Sequence, residues 1–339
     1  LQMVHQGYIE PHNATAHWDE DDRIKVWTST QGAFPVRTST AAILDMDVSR
    51  IKVTPLEIGG GFGGKIPVYL EPVVSILSKK SGRPVKAIME RSNVFQASGP
   101  APGGTITVKM GTDKDANIIA AETSIKLEAG GFPGAAVGAA VQCIFAPYDI
   151  PNTRIDGYDI VVNKPKSAAY RAPGSPQAAF AAETVSDELA RIHNMDPIDF
   201  RLQNASKEDT RRADGVVFPK IGNVEVLEAA KASDHWKSDL GTPPKGRVRG
   251  RGVASGYWFN VGLKSAVSLT VNNDGSVALV EGSTDIGGTR TSISMQAAEV
   301  LGIGVENFIP SVGDTDTAGY ADVTGGSRTT YATGFAAVK

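Results

Sequence analysis

Over residues 14–31 apolar and polar positions alternate around an acidic turn, Asp19-Glu20-Asp21-Asp22, which predicts a hairpin whose second strand runs out at Gln31. Helical spacing over 34–44 predicts a helix, 51–58 a strand, 68–80 a helix and 85–89 a strand. Two further strands are expected between 104 and 127, flanking a turn at 111–116. Residues 130–138 hold too much glycine for a stable helix and predict a close-packed or ligand-facing loop. Ser175 as N-cap, Pro176 at the first helical position and helical periodicity over 178–192 predict a strong helix. A second hairpin is expected at 266–280 with its turn at Asn272-Asn273-Asp274-Gly275, then helices over 292–301 and from 329 onward.

These elements predict an α+β chain of mixed sheets, with helices entered through Gly-rich loops. The Gly/Pro/Arg stretch 241–252 reads as a linker between a first lobe, 1–240, and a second, 253–339. An RNA-binding reading of that stretch lacks interleaved aromatics. With 41% hydrophobic and 21% charged residues and a net charge of -3, no global field draws the chain to nucleic acid or an anionic membrane. No apolar run reaches spanning length, and the cytoplasm is the simplest location. A single cysteine, Cys143, excludes internal disulfides and Cys-based clusters and reads as a buried structural thiol. His12, His17, His193 and His235 lack metal-ligand spacing, and the acidic turn lacks EF-hand spacing. The chain begins without Met and finishes inside a helix-like run, so a piece of a larger polypeptide is expected.

The chemistry concentrates in Gly59-Gly60-Gly61-Phe62-Gly63-Gly64-Lys65, between a strand and a helix, where a ligand can approach bare backbone. A P-loop reading fails because Ile66 stands where Ser or Thr would hold magnesium. A nicotinamide-dependent dehydrogenase using Gly59 to Gly64 remains open, with Glu90 for the ribose and a doubly wound parallel sheet as its requirement. A phosphate-binding module without catalysis remains open too. However, three more small-residue loops precede helices, at Arg171, at Asp285-Ile286-Gly287-Gly288 and at Gly325, and a dinucleotide needs only one.

The ordered series Glu10-Pro11-His12, Trp27 to Gln31, Gly59 to Lys65, Ala169-Tyr170-Arg171-Ala172-Pro173-Gly174, Asp285 to Gly288 and Gly325-Gly326-Ser327 resembles the molybdenum-binding large subunit of the xanthine oxidase / aldehyde oxidase family of molybdenum hydroxylases, essentially end to end. The resemblance implies molybdopterin, in the cytosine dinucleotide form or a simpler one, holding molybdenum with no direct protein ligand and sitting between the lobes. Gln31 and Arg171 would support the metal end. Gly61, Phe62 and Gly63 would lie against it, and Gly325, Gly326, Ser327 and Thr329 would hold the pterin and phosphate end. It implies hydroxylation with oxygen from water, assisted by a glutamate base, with electrons leaving through [2Fe–2S] clusters to FAD on other domains or subunits, and it allows a homodimer of the full complex. The family places that glutamate beyond residue 339, so these residues alone are expected to be inactive. The substrate pocket departs from purine oxidisers, with Ile66, Ala139 and Pro173 at the positions of their polar and aromatic clamp, and Ala172 replaces the cysteine of carbon monoxide dehydrogenases. An aldehyde or an N-heterocycle is the expected substrate.

Overall fold

In the computed structural model, which describes all residues from 1 to 339, the first hairpin forms as the alternation predicts, β1 (Asn13–Trp18) pairing antiparallel with β2 (Ile24–Thr28). Helix α1 (Ala33–Leu44) follows, then β3 (Ile51–Pro55), parallel to β2. Helix α2 (Glu71–Ser81) and strand β4 (Val85–Ile88), antiparallel to β1, complete a sheet of order β3-β2-β1-β4. Ala16, Ile24, Val26, Ile51 and Val53 of the sheet bury against Val36 of α1 and Val74 of α2. Helix α2 starts later than residue 68 because Pro72, which has no N–H to donate, suits its first turn. The glycine loop therefore does not open directly into it. In α3 (Arg91–Ala97) the Glu90 and Asn93 side chains form a reciprocal cap, which occupies the acid that a dinucleotide reading needs for the ribose.

Strands β5 (Gly104–Thr112) and β6 (Ile118–Gly130) form the expected antiparallel pair, and past the short helix α4 (Val137–Cys143) strand β7 (Thr153–Val161) adds parallel to β6. Helix α5 (Ser175–Ile192) is capped by Gly174 rather than by Ser175, at φ 83°, where a glycine carries no Cβ penalty. The Ser175 hydroxyl donates instead to the Tyr257 carbonyl, 2.7 Å away. Helices α6 (Pro197–Gln203), α7 (Asn223–Ala232) and α8 (Asp234–Lys237) follow. Ile125, Leu127, Ile144, Phe145, Ala182 and Phe200 centre the core of this region. Beside it the fully buried Arg201 donates to Glu183 at 2.8 Å and pairs with Asp187 at 2.8 Å, tying α6 to α5. Cys143 is buried, and burial pushes its thiol above the usual range.

Strands β8 (Val267–Val271) and β9 (Val277–Glu281) form the second hairpin, helix α9 (Thr289–Leu301) covers it through Ile293 and Ala297, and β10 (Phe308–Val312) runs parallel to β9. The last expected helix is a π-helical turn, Thr329–Thr333, continued by α10 (Gly334–Val338). All three sheets are mixed, so the architecture is α+β and the doubly wound parallel sheet of a nicotinamide dehydrogenase is not formed.

The chain divides into two units interleaved in sequence, rather than into contiguous lobes split at 241–252. One comprises Leu1–Met3, Pro102–Ser167 and Ala172–Trp258, the other Val4–Ala101, Ala168–Arg171 and Phe259–Lys339. The second unit is drawn from both ends of the sequence by a reciprocal pair of hydrogen bonds: Val53 N–H donates to the Thr315 hydroxyl oxygen at 3.0 Å, and Thr315 N–H to the Val53 carbonyl at 3.1 Å. Lys52 pairs with Asp314 at 2.7 Å beside them. Residues 241–252 form neither strand nor helix and lie within the first unit. No helix is long and apolar enough to cross a membrane.

Candidate functional site

Gln31, just past the end of β2, is 3% exposed and joins two loops that are far apart in sequence. Its Oε1 accepts from the Gly63 N–H at 2.8 Å and the Lys65 N–H at 3.3 Å, while its Nε2 donates to the Thr324 carbonyl at 2.9 Å. Its backbone repeats the connection: Gln31 N–H donates to the Lys65 carbonyl at 3.0 Å, and Thr324 N–H to the Gln31 carbonyl at 2.7 Å. One buried amide thus registers the glycine loop against the 324–329 loop. A Cβ on Gly61 would stand 2.5 Å from Gln31 Oε1, which explains the bare backbone there.

The glycine loop is held in a high-energy shape. Phe62 has φ 53° with 43% of its side chain exposed, next to Gly63 at φ 104°. A bulky residue in the left-handed region marks a place where the surroundings over-determine the backbone, as at ligand sites. The segment 168–171 lies against this loop: Arg171 N–H donates to the Phe62 carbonyl at 2.8 Å, and a Cβ on Gly63 would meet the Ala169 carbonyl oxygen at 2.4 Å. Gln6, fully buried, donates from Nε2 to the Ala169 carbonyl at 2.7 Å and the Gly99 carbonyl at 3.2 Å, fixing the segment from below. The Arg171 side chain is exposed.

The 324–329 loop owes its shape to Arg328, which sequence reasoning passed over. Its guanidinium is fully buried and donates to the carbonyls of Gly262 (2.7 Å), Lys264 (2.6 Å), Val323 (3.0 Å) and Asp322 (3.1 Å), and to the Ser265 hydroxyl. Its being the single charged residue amid Thr324-Gly325-Gly326-Ser327 and Thr329-Thr330 was the available signal. With the loop so pinned, Ser327 is exposed in the left-handed region at φ 56°, and Gly326 sits where a Cβ would strike Val261 at 2.4 Å. Thr329 Oγ1 is buried with no hydrogen-bond partner. An orphaned buried hydroxyl is costly unless a ligand completes it.

The structure therefore brings Gln31, Gly61, Phe62, Gly63, Arg171 and residues 325–329 into one unit, along with Ile66, whose Cδ1 would lie 3.6 Å from a Cβ on Gly325. Ala139 and Pro173 belong to the other unit, on α4 and in the turn before α5, where Gly174 packs against the α4 backbone. The loop at Asp285 serves its own helix. Its carboxylate accepts from the Gly288 and Thr289 N–H groups, each at 2.8 Å, and from Arg290 Nε at 2.7 Å, so the start of α9 is already capped. No group of three or more His, Cys, Asp or Glu side chains converges to hold a metal ion.

This constellation of a buried amide, bare loops and an orphaned hydroxyl meets a direct match in known sequences. A family model described as a molybdopterin cofactor-binding domain matches residues 1–205, and a second of the same description matches 225–339. The chain belongs to this family. The molybdopterin-binding chain is 31% identical over 316 residues to the aldehyde oxidoreductase molybdenum-binding subunit PaoC of Escherichia coli (strain K12), covering 91% of this chain and 42% of that protein. It is 30% identical over 347 residues to the xanthine dehydrogenase molybdenum-binding subunit of Escherichia coli O157:H7, covering 97% and 46%. It thus spans less than half the length of these relatives, which are molybdenum-containing oxidoreductases. Its fold matches quinoline 2-oxidoreductase from Pseudomonas putida 86 with a TM-score of 0.87 at 22% identity, over 99% of this chain and 47% of that one. The aldehyde oxidoreductase of Desulfovibrio desulfuricans gives 0.86 at 24%, over 99% and 38%.

Proposed function

We propose that this chain is the molybdopterin-holding part of a molybdenum hydroxylase that oxidises an aldehyde or an N-heterocycle with oxygen taken from water. The observation that carries the reading is the buried Gln31 amide stitched between two loops that end in exposed, strained backbone, with the unpartnered Thr329 hydroxyl on one of them. The residues fit the group: they offer N–H donors, a hydroxyl, an amide and an arginine, and no competing metal ligands. Gln31 and the backbone of Gly61, Phe62 and Gly63 would face the metal end, Arg171 would supply a cation beside it, and Gly325, Gly326, Ser327 and Thr329 would take the pterin and its phosphates, in the cytosine dinucleotide form. When bound, the molybdenum centre supplies a two-electron acceptor and a Lewis acid for water.

The chain's own contribution is orientation. A carboxamide already fixed by Gly63, Lys65 and Thr324 retains a second N–H on Nε2 that can point to a ligand without reorganising. Bare backbone at Gly61 and Gly63 lets Gln31 and the Ala169 carbonyl close against the loop, which leaves the exposed Phe62 on its outer side. Ile66, beside the glycine loop, offers no hydrogen-bonding side chain for a purine ring, which supports the aldehyde or N-heterocycle reading. The reading brings with it electron-accepting partners carrying [2Fe–2S] clusters and FAD, a homodimeric complex and a cytoplasmic location.

Metal analysis of the full-length protein, purified from a host that makes the cofactor, tests this. We expect about one molybdenum per chain by analogy with one cradle per chain, and cytidine monophosphate released on acid hydrolysis. A folded protein without molybdenum would overturn the reading.

A further inference from the structure

The side chains of Glu10 and Lys65 lie outside every role given above, yet they form a closed polar cluster at the ends of the glycine loop. Glu10 Oε2 accepts from Ser29 Oγ at 2.6 Å, from the Gly59 N–H at 2.7 Å and from Lys65 Nζ at 2.6 Å, and Oε1 accepts from Asn13 Nδ2 at 3.0 Å. Lys65 Nζ also donates to Ser29 Oγ at 3.0 Å, and its side chain is completely buried beneath the Tyr8 ring, 5.2 Å away. One carboxylate oxygen therefore holds the first and last residues of the glycine loop together. It also holds Ser29, two residues before Gln31.

We infer that Glu10 and Lys65 are a positioning pair for the cofactor, closing the neck of the glycine loop so that Gln31 and the Gly61–Gly63 backbone are presented in one geometry. The inference rests on the functional reading above. A loop of seven residues, five of them glycine, has a large conformational entropy, and the turn bond from Gly64 N–H to the Gly61 carbonyl, 2.8 Å, is a slight internal brace for the left-handed Phe62. Closing its neck restricts that freedom. Lys65 transmits the closure: its N–H and carbonyl are the groups that bond the Gln31 side chain and backbone, while its ammonium is held by Glu10. Gly59 completes the fit, since a Cβ there would stand 2.4 Å from Glu10 Cβ.

An ion pair is not required for stability at such a place, because apolar side chains of similar volume serve a buried site equally well. Only a group with several acceptor positions at fixed angles can gather three separate segments. Desolvation works against the Glu10 carboxylate, but the donors from Lys65, Ser29 and Gly59 outweigh it and bring its pKa down to about 2. Burial lowers the pKa of the Lys65 ammonium, and the Glu10 carboxylate offsets part of that penalty.

The test uses the full-length protein from a cofactor-making host, comparing wild type, Glu10→Gln, Gln31→Ala and the double variant, with the milder Ser29→Ala as a safeguard against misfolding. The readouts are the rate of molybdenum loss during dialysis, the electron paramagnetic resonance spectrum of Mo(V) after partial reduction with dithionite, and the melting temperature. Glu10→Gln is expected to lose molybdenum about tenfold faster, as supporting residues of metal sites do, and to alter the Mo(V) spectrum in the same direction as Gln31→Ala. In the Gln31→Ala background it should add nothing to either, because both changes act on the same amide. Ser29→Ala should fall between wild type and Glu10→Gln. Lower melting temperature with unchanged metal loss and spectrum would overturn the inference, as would effects of Glu10→Gln and Gln31→Ala that simply multiply. A wild type free of molybdenum would overturn the functional reading first, and the pair's role with it.

Discussion

Glu281 shows how one residue can set a pH dependence for a whole unit. It ends β9, is fully buried, and neither carboxylate oxygen has a hydrogen-bond partner. Desolvation, reinforced by Asp285 and opposed by Arg290, pushes its pKa from 4.5 up to about 8. Below 4.5 the folded and unfolded chains both carry the proton. Between there and about 8 the unfolded chain gives its proton up while the folded chain keeps it, so stability falls by about 1.4 kcal/mol per pH unit and levels off once the folded carboxyl ionises. Glu281→Gln keeps the shape and removes the titration. Urea denaturation from pH 5 to pH 8 should show the variant gaining on wild type as pH rises, by on the order of 3 kcal/mol at pH 7, and a pH-independent difference would refute the assignment. Nothing in the sequence signalled this acid, whose place in an apolar strand reads as a strand end. By contrast Gln31 was legible, because its neighbours Trp27 to Thr30 form part of a recognisable series. Its partners Thr324 and Lys65 were not, since pattern reading carries no information on contacts 293 and 34 residues apart.

Among elements, most of those with a clear buried face were legible. The first hairpin, β9 and α5 follow their periodicity because each buries one side against a core, whereas β8, largely exposed, was legible from its alternation and the Asn272–Gly275 turn. Strand β7 escaped because most of its residues are exposed on either face, so its sequence shows no alternation, and β10 escaped behind Pro310, which breaks a strand pattern. Helix α6 had a signal in Asp196, whose carboxylate caps it, and in Pro197, but it is only seven residues long. What fixes α6 on α5 is the buried Arg201, and its removal should be felt strongly. Arg201→Met leaves Glu183 buried with Tyr148 and the Ser255 N–H as its remaining donors, an uncompensated carboxylate. We expect a loss of about 3–5 kcal/mol in chemical denaturation. The double variant Arg201→Met, Glu183→Leu should recover much of it, and equal losses in single and double variants would show that packing rather than charge dominates.

At the scale of the molecule, the interleaving of the two units decides which pieces can fold by themselves. The first unit is nearly continuous, being residues 102–258 apart from the short segment 168–171 and the three residues at the start, and it contains a complete core centred on Leu127, Ile144 and Phe200. The second is split. Residues 4–101 carry the sheet of β1 to β4, but Thr315, Asp314 and Thr324, which bond Val53, Lys52 and Gln31, come from 259–339. The family matches divide the chain between 205 and 225, so each half by that division takes part of the second unit away from the other. Expressed alone, residues 102–258 should give a cooperative thermal transition and a dispersed amide spectrum. Residues 4–101 alone should give neither, because the loops that form the cradle lose the Thr324 and Thr315 partners of Gln31 and Val53, whereas mixing them with 259–339 should restore protection of the Val53 N–H, donated to Thr315, and the Thr324 N–H, donated to the Gln31 carbonyl, to hydrogen exchange. A folded, exchange-protected 4–101 would show that the glycine loop is shaped by its own half alone, and that the 324–329 loop joins a site already made.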